Sequence, residues 1–304
     1  MPRQRLDGVV HHYAWGDGHS IPALLSRDDD GLPWAELWVG THDRGPAHLP
    51  DGRPLADLTG PLPFLLKVLA IGSPLSLQIH PDTAAARRGY RDGIFGDPAP
   101  KSELLVALTP VEAFMGFRPI EDTLALIDEL GLADLQRSVS QDGLIATCQR
   151  CYDQSFDIAG MIRACEASNH PQTRWVDRLH HRYPNDPSVV VTLLLNLVTL
   201  APGEALPIMP RTLHSYVSGV GVEMMTSSDN VLRAGLTPKP IDPGRVLDLV
   251  SPEPIDKPVQ PPAHRHRVPE SMLSLIVVPP RMPHTAQGDE VAIERSPRRS
   301  RARG

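Results

Sequence analysis

The sequence has few cysteines and few aromatic residues, and it has no long apolar run. The three cysteines, Cys148, Cys151 and Cys165, fit reduced thiols better than a disulfide framework. Aromatic residues make up only 5% of the chain, so aliphatic side chains must fill the core. The longest apolar run, 189–200, is interrupted by polar residues and is too short to span a bilayer. Since the N-terminus also has no charged-then-apolar leader pattern, we expect a cytoplasmic protein without a membrane segment.

An excess of positive charge is also missing. The formal net charge of −6 argues against general nucleic-acid binding, and an anionic substrate would need a local cluster of lysines and arginines. Hydrophobic residues at 41% and charged residues at 22% exclude disorder over most of the 304 residues. This length allows one to three structural units.

Prolines and glycines divide much of the chain into short segments. There are 33 prolines and 23 glycines, and they punctuate residues 1–118 and the stretch after Pro184. Such punctuation is typical of a β architecture. One of the segments, Phe64–Ile71, is almost entirely apolar and carries a single charge, Lys67. We therefore predict a β domain formed by residues 1–118 and 186–240.

The stretch between these two β regions has a different periodicity. Ile120, Leu124 and Ile127 recur at helical spacing behind Pro119. Further helices are predicted over residues 157–167 and 171–182. We therefore interpret residues 119–185 as a helical insert within the β domain.

The last part of the chain, residues 241–304, is rich in proline and contains one strand-like run, 271–278. The final ten residues, 295–304, include five arginines and almost no apolar side chain. We expect this tail to be disordered and solvated.

Residues Gln78-Ile79-His80 indicate a metal site. They belong to the segment 74–82, in which apolar and polar residues alternate as in a β-strand. Alternate residues of a strand point to the same face, so an amide oxygen and an imidazole would project together. These are two possible ligands, and a metal ion would need two more.

Glu103 and His214 are the candidates for the other ligands. Glu103 and Lys101 stand two residues apart at the start of an apolar strand, and His214 follows a turn at 201–204. Together with Gln78 and His80 they would form a zinc-type set of two nitrogens and two oxygens with one negative charge. A lone His or Gln in a half-buried strand is more often an ordinary hydrogen-bonded group, so the prediction depends on the convergence of all four residues.

A third informative block covers residues 222–239. It contains charged residues of both signs within a segment that otherwise resembles strand and turn: Glu223, Asp229, Arg233 and Lys239. Guanidinium and ammonium groups are natural partners of a phosphate, so this block could bind a sugar phosphate. The alternative is a surface loop with ordinary ion pairs. By contrast, Cys148 and Cys151 have the spacing of metal ligands, but one such pair is a weak signal.

Several of these motifs together resemble the type I mannose-6-phosphate isomerases, a family of zinc-dependent enzymes with a cupin fold. The resemblance covers about residues 10–118 and 186–240. The motifs that carry it are Tyr13-Ala-Trp-Gly16, Ala35-Glu-Leu-Trp-Val-Gly40, Pro63-Phe-Leu-Leu-Lys-Val-Leu69, Leu75-Ser-Leu-Gln-Ile-His-Pro81, Lys101-Ser-Glu103, Leu213-His-Ser-Tyr216 and Ser228-Asp-Asn-Val-Leu-Arg-Ala-Gly-Leu-Thr-Pro-Lys239.

The resemblance implies a double-stranded β-helix and one zinc ion per chain. It implies that zinc is bound by Gln78, His80, Glu103 and His214 and that Arg233 is the active-site arginine. It also implies further polar positions around the pocket, which are Lys67, Lys101, Glu223, Asp229 and Lys239. The implied reaction interconverts mannose 6-phosphate and fructose 6-phosphate through an enediol and belongs to carbohydrate metabolism and GDP-mannose biosynthesis. The implied enzyme is a monomer in the family's usual form.

The chain departs from the family pattern in two places. Pro100 stands where the family often has a histidine, so a proton-transfer role of that histidine does not carry over. Family members also continue into a second complete cupin domain, so we expect residues 241–304 to be a truncated counterpart that leaves apolar surface exposed.

Two functional alternatives to the isomerase remain open. One is a non-catalytic cupin that binds a sugar phosphate but has lost turnover with the shortened C-terminal region. The other is an iron-dependent cupin dioxygenase, which is disfavoured because such sites use two histidines and one carboxylate without a glutamine. For the isomerase itself, the general base could be Glu223, Asp229 or Lys101.

Overall fold

A computed structural model of the chain describes residues 4–278 and 290–293. Its strands, within these ranges, are β1 (Val9–His11), β2 (Glu36–Gly40), β3 (Phe64–Ile71), β4 (Leu77–Ile79), β5 (Glu103–Ala107), β6 (Val111–Phe117), β7 (Leu195–Leu200), β8 (Ala205–Ile208), β9 (His214–Thr226), β10 (Leu232–Gly235), β11 (Arg265–Arg267) and β12 (Ser274–Ile276).

The helices of the same residues are mostly short. They are α1 (Ser20–Leu25), α2 (Ala56–Thr59), α3 (Thr83–Arg91), α4 (Ile120–Glu129), α5 (Ala133–Gln141), α6 (Gly143–Tyr152), α7 (Ile158–Glu166), α8 (Pro171–Arg182), α9 (Ser188–Val191) and α10 (Pro243–Leu249), with a 3-10 turn at Thr192–Leu194. No helix of the described residues is both long and apolar enough to cross a membrane.

All the strand pairs are antiparallel, and β9 is central among them. This strand of 13 residues pairs with β3, β4, β5 and β6. The main path through the sheet is β1-β2-β3-β9-β4-β10, while β8 joins through β5 and β7 joins through β6. Because β9 runs through the whole sheet, it carries His214 at its first residue and Glu223 near its last.

Strand β3 is an inner strand that carries one charged residue. Its eight residues are all buried, so both faces pack against protein. Seven of them are apolar, and the eighth is Lys67. The predicted strand Phe64–Ile71 therefore forms with the expected bounds.

Helices α4 to α8 occupy the stretch of the predicted insert. Pro119 precedes α4, and Gly131 follows it with a φ of 67°, a left-handed conformation that favours glycine. The stretches predicted as 157–167 and 171–182 contain α7 and α8. The apolar faces of these helices share one core cluster with Phe114 and Phe117 of β6. The division of the chain into domains stays a prediction.

One of the following features agrees with the expectations, and the other differs from them. Cys148 and Cys151 lie on α6 and are buried as free thiols in the helical core, so their spacing reflects helix packing. Helix α10 lies in a stretch for which only proline-rich chain was expected. It begins behind Asp242, whose side chain accepts a hydrogen bond from the Arg245 amide.

The end of the described chain packs against the β domain. Strands β11 and β12 form a hairpin, and Val268 and Leu275 join the core cluster that contains Leu37, Leu66 and Leu104. The predicted strand 271–278 is shorter than expected, since β12 covers only Ser274–Ile276. The arginine-rich tail, 295–304, lies outside the described residues.

Candidate metal centre and pocket

Strand β4 places three candidate residues in one row. Gln78 lies directly opposite His214 of β9 on one side and Arg233 of β10 on the other. His80 follows the end of β4 and is fully buried. The antiparallel register therefore brings together residues that are more than 150 positions apart in the sequence.

His80, Glu103 and His214 converge on one point. All three are buried, and their ligand atoms lie within 4.8 Å of one another. Nε2 of His80 is 3.3 Å from Oε1 of Glu103, and Nε2 of His214 is 3.8 Å from Oε2. Ligands about 2.1 Å from a tetrahedral zinc ion lie about 3.4 Å apart, so these spacings suit a shared ion.

Backbone carbonyls orient both imidazole rings. Nδ1 of His80 is 2.9 Å from the Asn230 carbonyl oxygen, and Nδ1 of His214 is 2.9 Å from that of Thr212. A carbonyl oxygen only accepts hydrogen bonds, so each Nδ1 carries the proton and each Nε2 presents a lone pair to the centre. Nε2 of His80 has no hydrogen-bond partner of good geometry among the described residues, which fits a ligand atom.

The protonation states also suit a cation. Burial lowers the pKa of His80 and, with the neighbouring His80 ring, lowers the pKa of His214 to about 4, so both rings are neutral at neutral pH. Burial alone would raise the pKa of Glu103. The ammonium of Lys101, whose Nζ is 3.1 Å from Oε1, nevertheless holds the pKa of Glu103 well below its usual range. The site thus has two neutral nitrogens and one carboxylate.

Gln78 borders this cluster through its amide group. Its Nε2 is 3.4 Å from Nε2 of His214, and its Oε1 accepts a hydrogen bond of 2.8 Å from Oγ of Ser76. A half-turn of the amide would exchange these atoms, so that the oxygen joins the donors and the nitrogen donates to Ser76. The four residues therefore fit a zinc ion by donor type and by spacing.

A second buried cluster lies on β2, β3 and β9. Lys67 and Glu223 are direct cross-strand partners, with Nζ 3.2 Å from Oε2, and Glu36 is 4.0 Å from the same Nζ. The hydroxyl of Tyr216 donates to Oε1 of Glu223 over 3.2 Å. Burial and the charge of Glu103 raise the pKa of Glu223 to about 7, although Lys67 opposes this shift. The two carboxylates raise the pKa of Lys67 even though its burial works in the opposite direction.

Glu36, Trp38 and Tyr216 were not singled out from the sequence as site residues. The indole nitrogen of Trp38 donates to Glu36, and both residues are buried in β2. The sequence signal for Glu36 is the same as the signal for Lys67, because each is the only charged residue of its strand. Tyr216 stands two residues after His214 on β9, and no pattern in the sequence distinguishes its hydroxyl.

The remaining candidates, Arg233, Lys239 and Asp229, lie toward the solvent. Arg233 and Lys239 have no ion pair within the described residues, and burial lowers the pKa of both. The ammonium of Lys239 lies 5.5 Å from the centroid of the Tyr13 ring. Asp229 is already paired, with Oδ1 2.7 Å from Nη2 of Arg44 and Oδ2 3.3 Å from Nε2 of His42. Nothing in the sequence pattern indicated Arg44 or His42.

Comparisons with known proteins agree with this geometry. A family model described as phosphomannose isomerase type I, catalytic domain, matches residues 55–120. The mannose-6-phosphate isomerase of Bos taurus is 32% identical over 336 residues, which cover 90% of this chain and 79% of the relative. The mannose-6-phosphate isomerase of Escherichia coli is 31% identical, and the match covers 79% of this chain and 72% of that relative.

Solved structures give the same result. A zinc-bound mannose 6-phosphate isomerase has a TM-score of 0.75 at 30% identity and covers 83% of this chain and 75% of its own. An arginine-to-alanine variant of the phosphomannose isomerase from Salmonella typhimurium has a TM-score of 0.78 at 28% identity, with 88% and 80% covered. The predicted fold class, a cupin-type β architecture with helices, is confirmed.

The fold and the cluster of His80, Glu103 and His214 define a cupin protein with a buried site that could hold a metal ion. The relatives make the assignment specific: the chain belongs to the mannose-6-phosphate isomerase family.

Proposed function

We propose that this protein is an isomerase that interconverts mannose 6-phosphate and fructose 6-phosphate. The observation that carries the proposal is the convergence of three buried ligand-type residues on one point, in the same row of strands as Arg233. Relatives named mannose-6-phosphate isomerase support the choice of substrate. A non-catalytic sugar-phosphate binder is the alternative that the experiment below separates.

The metal in this proposal is zinc, and Gln78, His80, Glu103 and His214 bind it. Bound there, zinc supplies a cation with a single anionic ligand, which stabilises negative charge on the sugar oxygens. The amide of Gln78 keeps the charge of the ligand set low. Lys101, in contact with Glu103, adds a second positive charge to this centre.

Cationic residues around the pocket bind and orient the substrate. Arg233 and Lys239 have no carboxylate partner within the described part of the chain, so their charges are available to a sugar phosphate. Lys67 is held by Glu36 and Glu223 in the buried cluster, where its three donors can also reach a sugar hydroxyl.

Glu223 is the general base in this mechanism. The aldose-to-ketose direction removes a proton from C2, forms an enediol and returns a proton to C1, and a base with a pKa near the working pH suits both steps. The pKa of Glu223, raised by burial and by Glu103 to about 7, meets this requirement. Lys101 is less suited, because its ammonium has three donors and no acceptor. Asp229 is less suited, because it is exposed and lies outside the buried cluster of Lys67, Glu36 and Glu223.

The proposal also covers the cellular location of the enzyme and its metabolic role. The three buried, free cysteines support a reducing compartment, and we place the protein in the cytoplasm. A mannose 6-phosphate isomerase would serve GDP-mannose biosynthesis. Residues 119–185 form its helical insert domain in this proposal.

The test combines a coupled isomerase assay with metal analysis of the same sample. The wild-type protein should contain about one zinc per chain and turn over mannose 6-phosphate, whereas His80→Ala and Glu103→Ala should lose both. His181→Ala is the matched control, because His181 is an exposed histidine that contacts Asp177 on the same helix, and it should retain both. Full turnover in a metal-free His80→Ala protein would refute the zinc mechanism. Zinc and phosphate binding without turnover would favour the binding protein.

A further inference from the structure

Arg44 is an exposed arginine near the buried cluster of Lys67, Glu36 and Glu223, and its ion-pair partner is exchangeable. It lies on the loop after β2, and its side chain is 62% exposed. Its Nη2 is 2.7 Å from Oδ1 of Asp229, whose other oxygen is 3.3 Å from Nε2 of His42. An ion pair this exposed contributes only about 0–1 kcal/mol, so a competing anion can replace the carboxylate at little cost.

Trp38 connects Arg44 with the buried cluster. The guanidinium carbon of Arg44 lies 5.8 Å from the centroid of the Trp38 ring, and Nζ of Lys67 lies 5.3 Å from the same centroid. Arg44 and Lys67 are therefore neighbours of one indole. The indole is held in place because its nitrogen donates to the buried Glu36.

Arg44 and Lys239 border one continuous aromatic wall. The ring of His11 packs against Trp38 at 4.2 Å and stacks on Tyr13 at 5.5 Å between centroids. Lys239 lies over that same Tyr13 ring, 5.5 Å from its centroid. The wall of Trp38, His11 and Tyr13 thus has a cation at each end.

A third cation, Arg233, lies within electrostatic reach of Arg44. Arg44 contributes to the lowered pKa of both Arg233 and Lys239, so the three cations lie within electrostatic reach of one another. Asp229 is the carboxylate that pairs with one of them. Arg233 and Lys239 have no ion pair within the described residues, so both are available, with Arg44, to a phosphate group of charge about −1.5 to −2.

We propose that Arg44 is a further phosphate-binding residue. Asp229 pairs with Arg44 in the free protein, and the phosphate of the substrate replaces Asp229 as the partner of Arg44 when the substrate binds. The proposal rests on the proposed sugar-phosphate substrate. A guanidinium binds phosphate through two parallel hydrogen bonds, and these outweigh one half-exposed ion pair. His42 remains with Asp229 after the exchange and keeps its carboxylate paired.

Inorganic phosphate tests the proposal without any turnover. Its affinity for the zinc-loaded protein is measured by calorimetry for the wild type and four variants. Arg44→Gln should weaken phosphate binding about tenfold or more, and Arg44→Lys should restore part of the loss. Asp229→Asn should strengthen binding, since the competing carboxylate is gone. Arg137→Gln, at an arginine of similar exposure paired with Asp134 on α5, should leave the affinity unchanged.

Turnover gives a second measurement. If the wild type is an isomerase, Arg44→Gln should raise KM for mannose 6-phosphate by a larger factor than it lowers kcat, with zinc content unchanged. Unchanged phosphate affinity in a folded, zinc-loaded Arg44→Gln protein would overturn the proposal. Weaker phosphate binding in Asp229→Asn would overturn the exchange of partners. A wild type that binds phosphate through Arg44 but has no turnover would instead refute the proposed activity alone.

Discussion

Lys67 and Glu223 lie directly opposite each other in the ladder between β3 and β9, with Nζ of Lys67 3.2 Å from Oε2 of Glu223. Both side chains are buried, and Glu36 lies on the other side of the same ammonium. Burial and Glu103 raise the pKa of Glu223 to about 7, while Lys67 pulls it down. The ammonium therefore lowers the pH at which this carboxylate becomes a base.

The first prediction concerns the pH dependence of that base. Replacing Lys67 by Met removes the positive charge that lowers the pKa of Glu223, so the acid limb of the kcat/KM profile should move to higher pH by about one unit or more. Zinc beside Glu103 offsets the negative charge of that residue, which otherwise raises the pKa of Glu223. The acid limb of the wild-type holoenzyme should therefore lie below pH 7, because the pKa of Glu223 is about 7 without metal. The measurement is kcat/KM of the zinc-loaded proteins across the acid range.

Two further variants complete this test. Lys67→Arg retains the charge and should leave the acid limb near its wild-type position. Glu223→Gln should lower kcat by at least about a hundredfold at pH values above the acid limb and should abolish that limb, because it removes the base itself. An acid limb at the same pH in wild type and Lys67→Met would show that another group titrates.

A second prediction tests why the ligand set includes an amide. Gln78→Glu adds a negative charge at the same position, so zinc should be retained or bind more tightly. Turnover should nevertheless fall about a hundredfold or more, because a more neutral centre stabilises the enediol charge less well. Zinc content and kcat at saturating substrate are measured together.

Gln78→Asn provides the comparison, since it keeps the neutral amide but shortens the side chain. It should lose zinc affinity, and excess zinc should restore part of its turnover. If Gln78→Glu and wild type turned over equally, the charge argument would be wrong.

The candidate ligands Gln78, His80 and Glu103 could be picked out from the sequence because local alternation fixes the direction of side chains. Gln78 lies in β4 and His80 follows directly after it, and Lys101 and Glu103 enter another strand together, as the contact of 3.1 Å between the latter two shows. The strand Phe64–Ile71 was predictable for a related reason, because a run of eight residues with seven apolar side chains is buried on both faces. The assignment of site roles from these positions stays a prediction until it is measured.

Contacts between distant segments were not accessible. Arg44 meets Asp229 across 185 positions, and only the register of β2, β3 and β9 brings their loops together. Helix α10 is seven residues long, too short to show a clear period among prolines. The pair Cys148 and Cys151 has metal-ligand spacing, and only its burial on α6 shows that the pair fills the core.

A third prediction follows from these buried thiols. Burial raises the pKa of Cys151 and Cys165 to about 12, and that of Cys148 well above its usual value. The folded thiols hold their protons more tightly than unfolded thiols, whose pKa is about 8.5. Their contribution to stability is therefore complete below about pH 8.5 and is lost as the pH rises toward about 12. Each thiol should lower the free energy of unfolding by up to roughly 1.4 kcal/mol per pH unit there.

Urea denaturation at neutral pH and at about pH 10 measures this slope. Cys151→Ala should reduce the slope by about one proton, while native thiols should resist alkylation at neutral pH. Asp153→Asn, at an exposed position just after α6, should leave the slope unchanged. Rapid alkylation of all three cysteines in the native protein would contradict their burial.

The last prediction concerns Arg211, whose φ of 65° is in the left-handed region. Its amide donates to the His80 carbonyl over 2.7 Å, and its Nε donates to the Leu249 carbonyl at the end of α10, also over 2.7 Å. A charged hydrogen bond of this kind contributes about 1.5–3 kcal/mol, and the left-handed backbone costs about 1–2 kcal/mol in any residue except glycine. The side chain thus offsets the strain of a turn that lies between two ligand-type residues, His80 and His214.

Arg211→Ala keeps the strain and loses both the hydrogen bond to Leu249 and the longer contact of 3.5 Å between Nη1 and Oδ2 of Asp82, so it should be destabilised by about 1.5–3 kcal/mol. Arg211→Gly also loses the bond but relieves the strain, and after the entropy of glycine in the unfolded chain it should be about 0.5–1 kcal/mol more stable than Arg211→Ala. Urea denaturation of the metal-free proteins gives this order, and chelator competition should show weaker zinc binding in both variants, because the turn that precedes His214 is looser. Equal stability of Arg211→Ala and wild type would mean that the bond to Leu249 contributes nothing. If Arg211→Gly were less stable than Arg211→Ala, the left-handed backbone would not be strained.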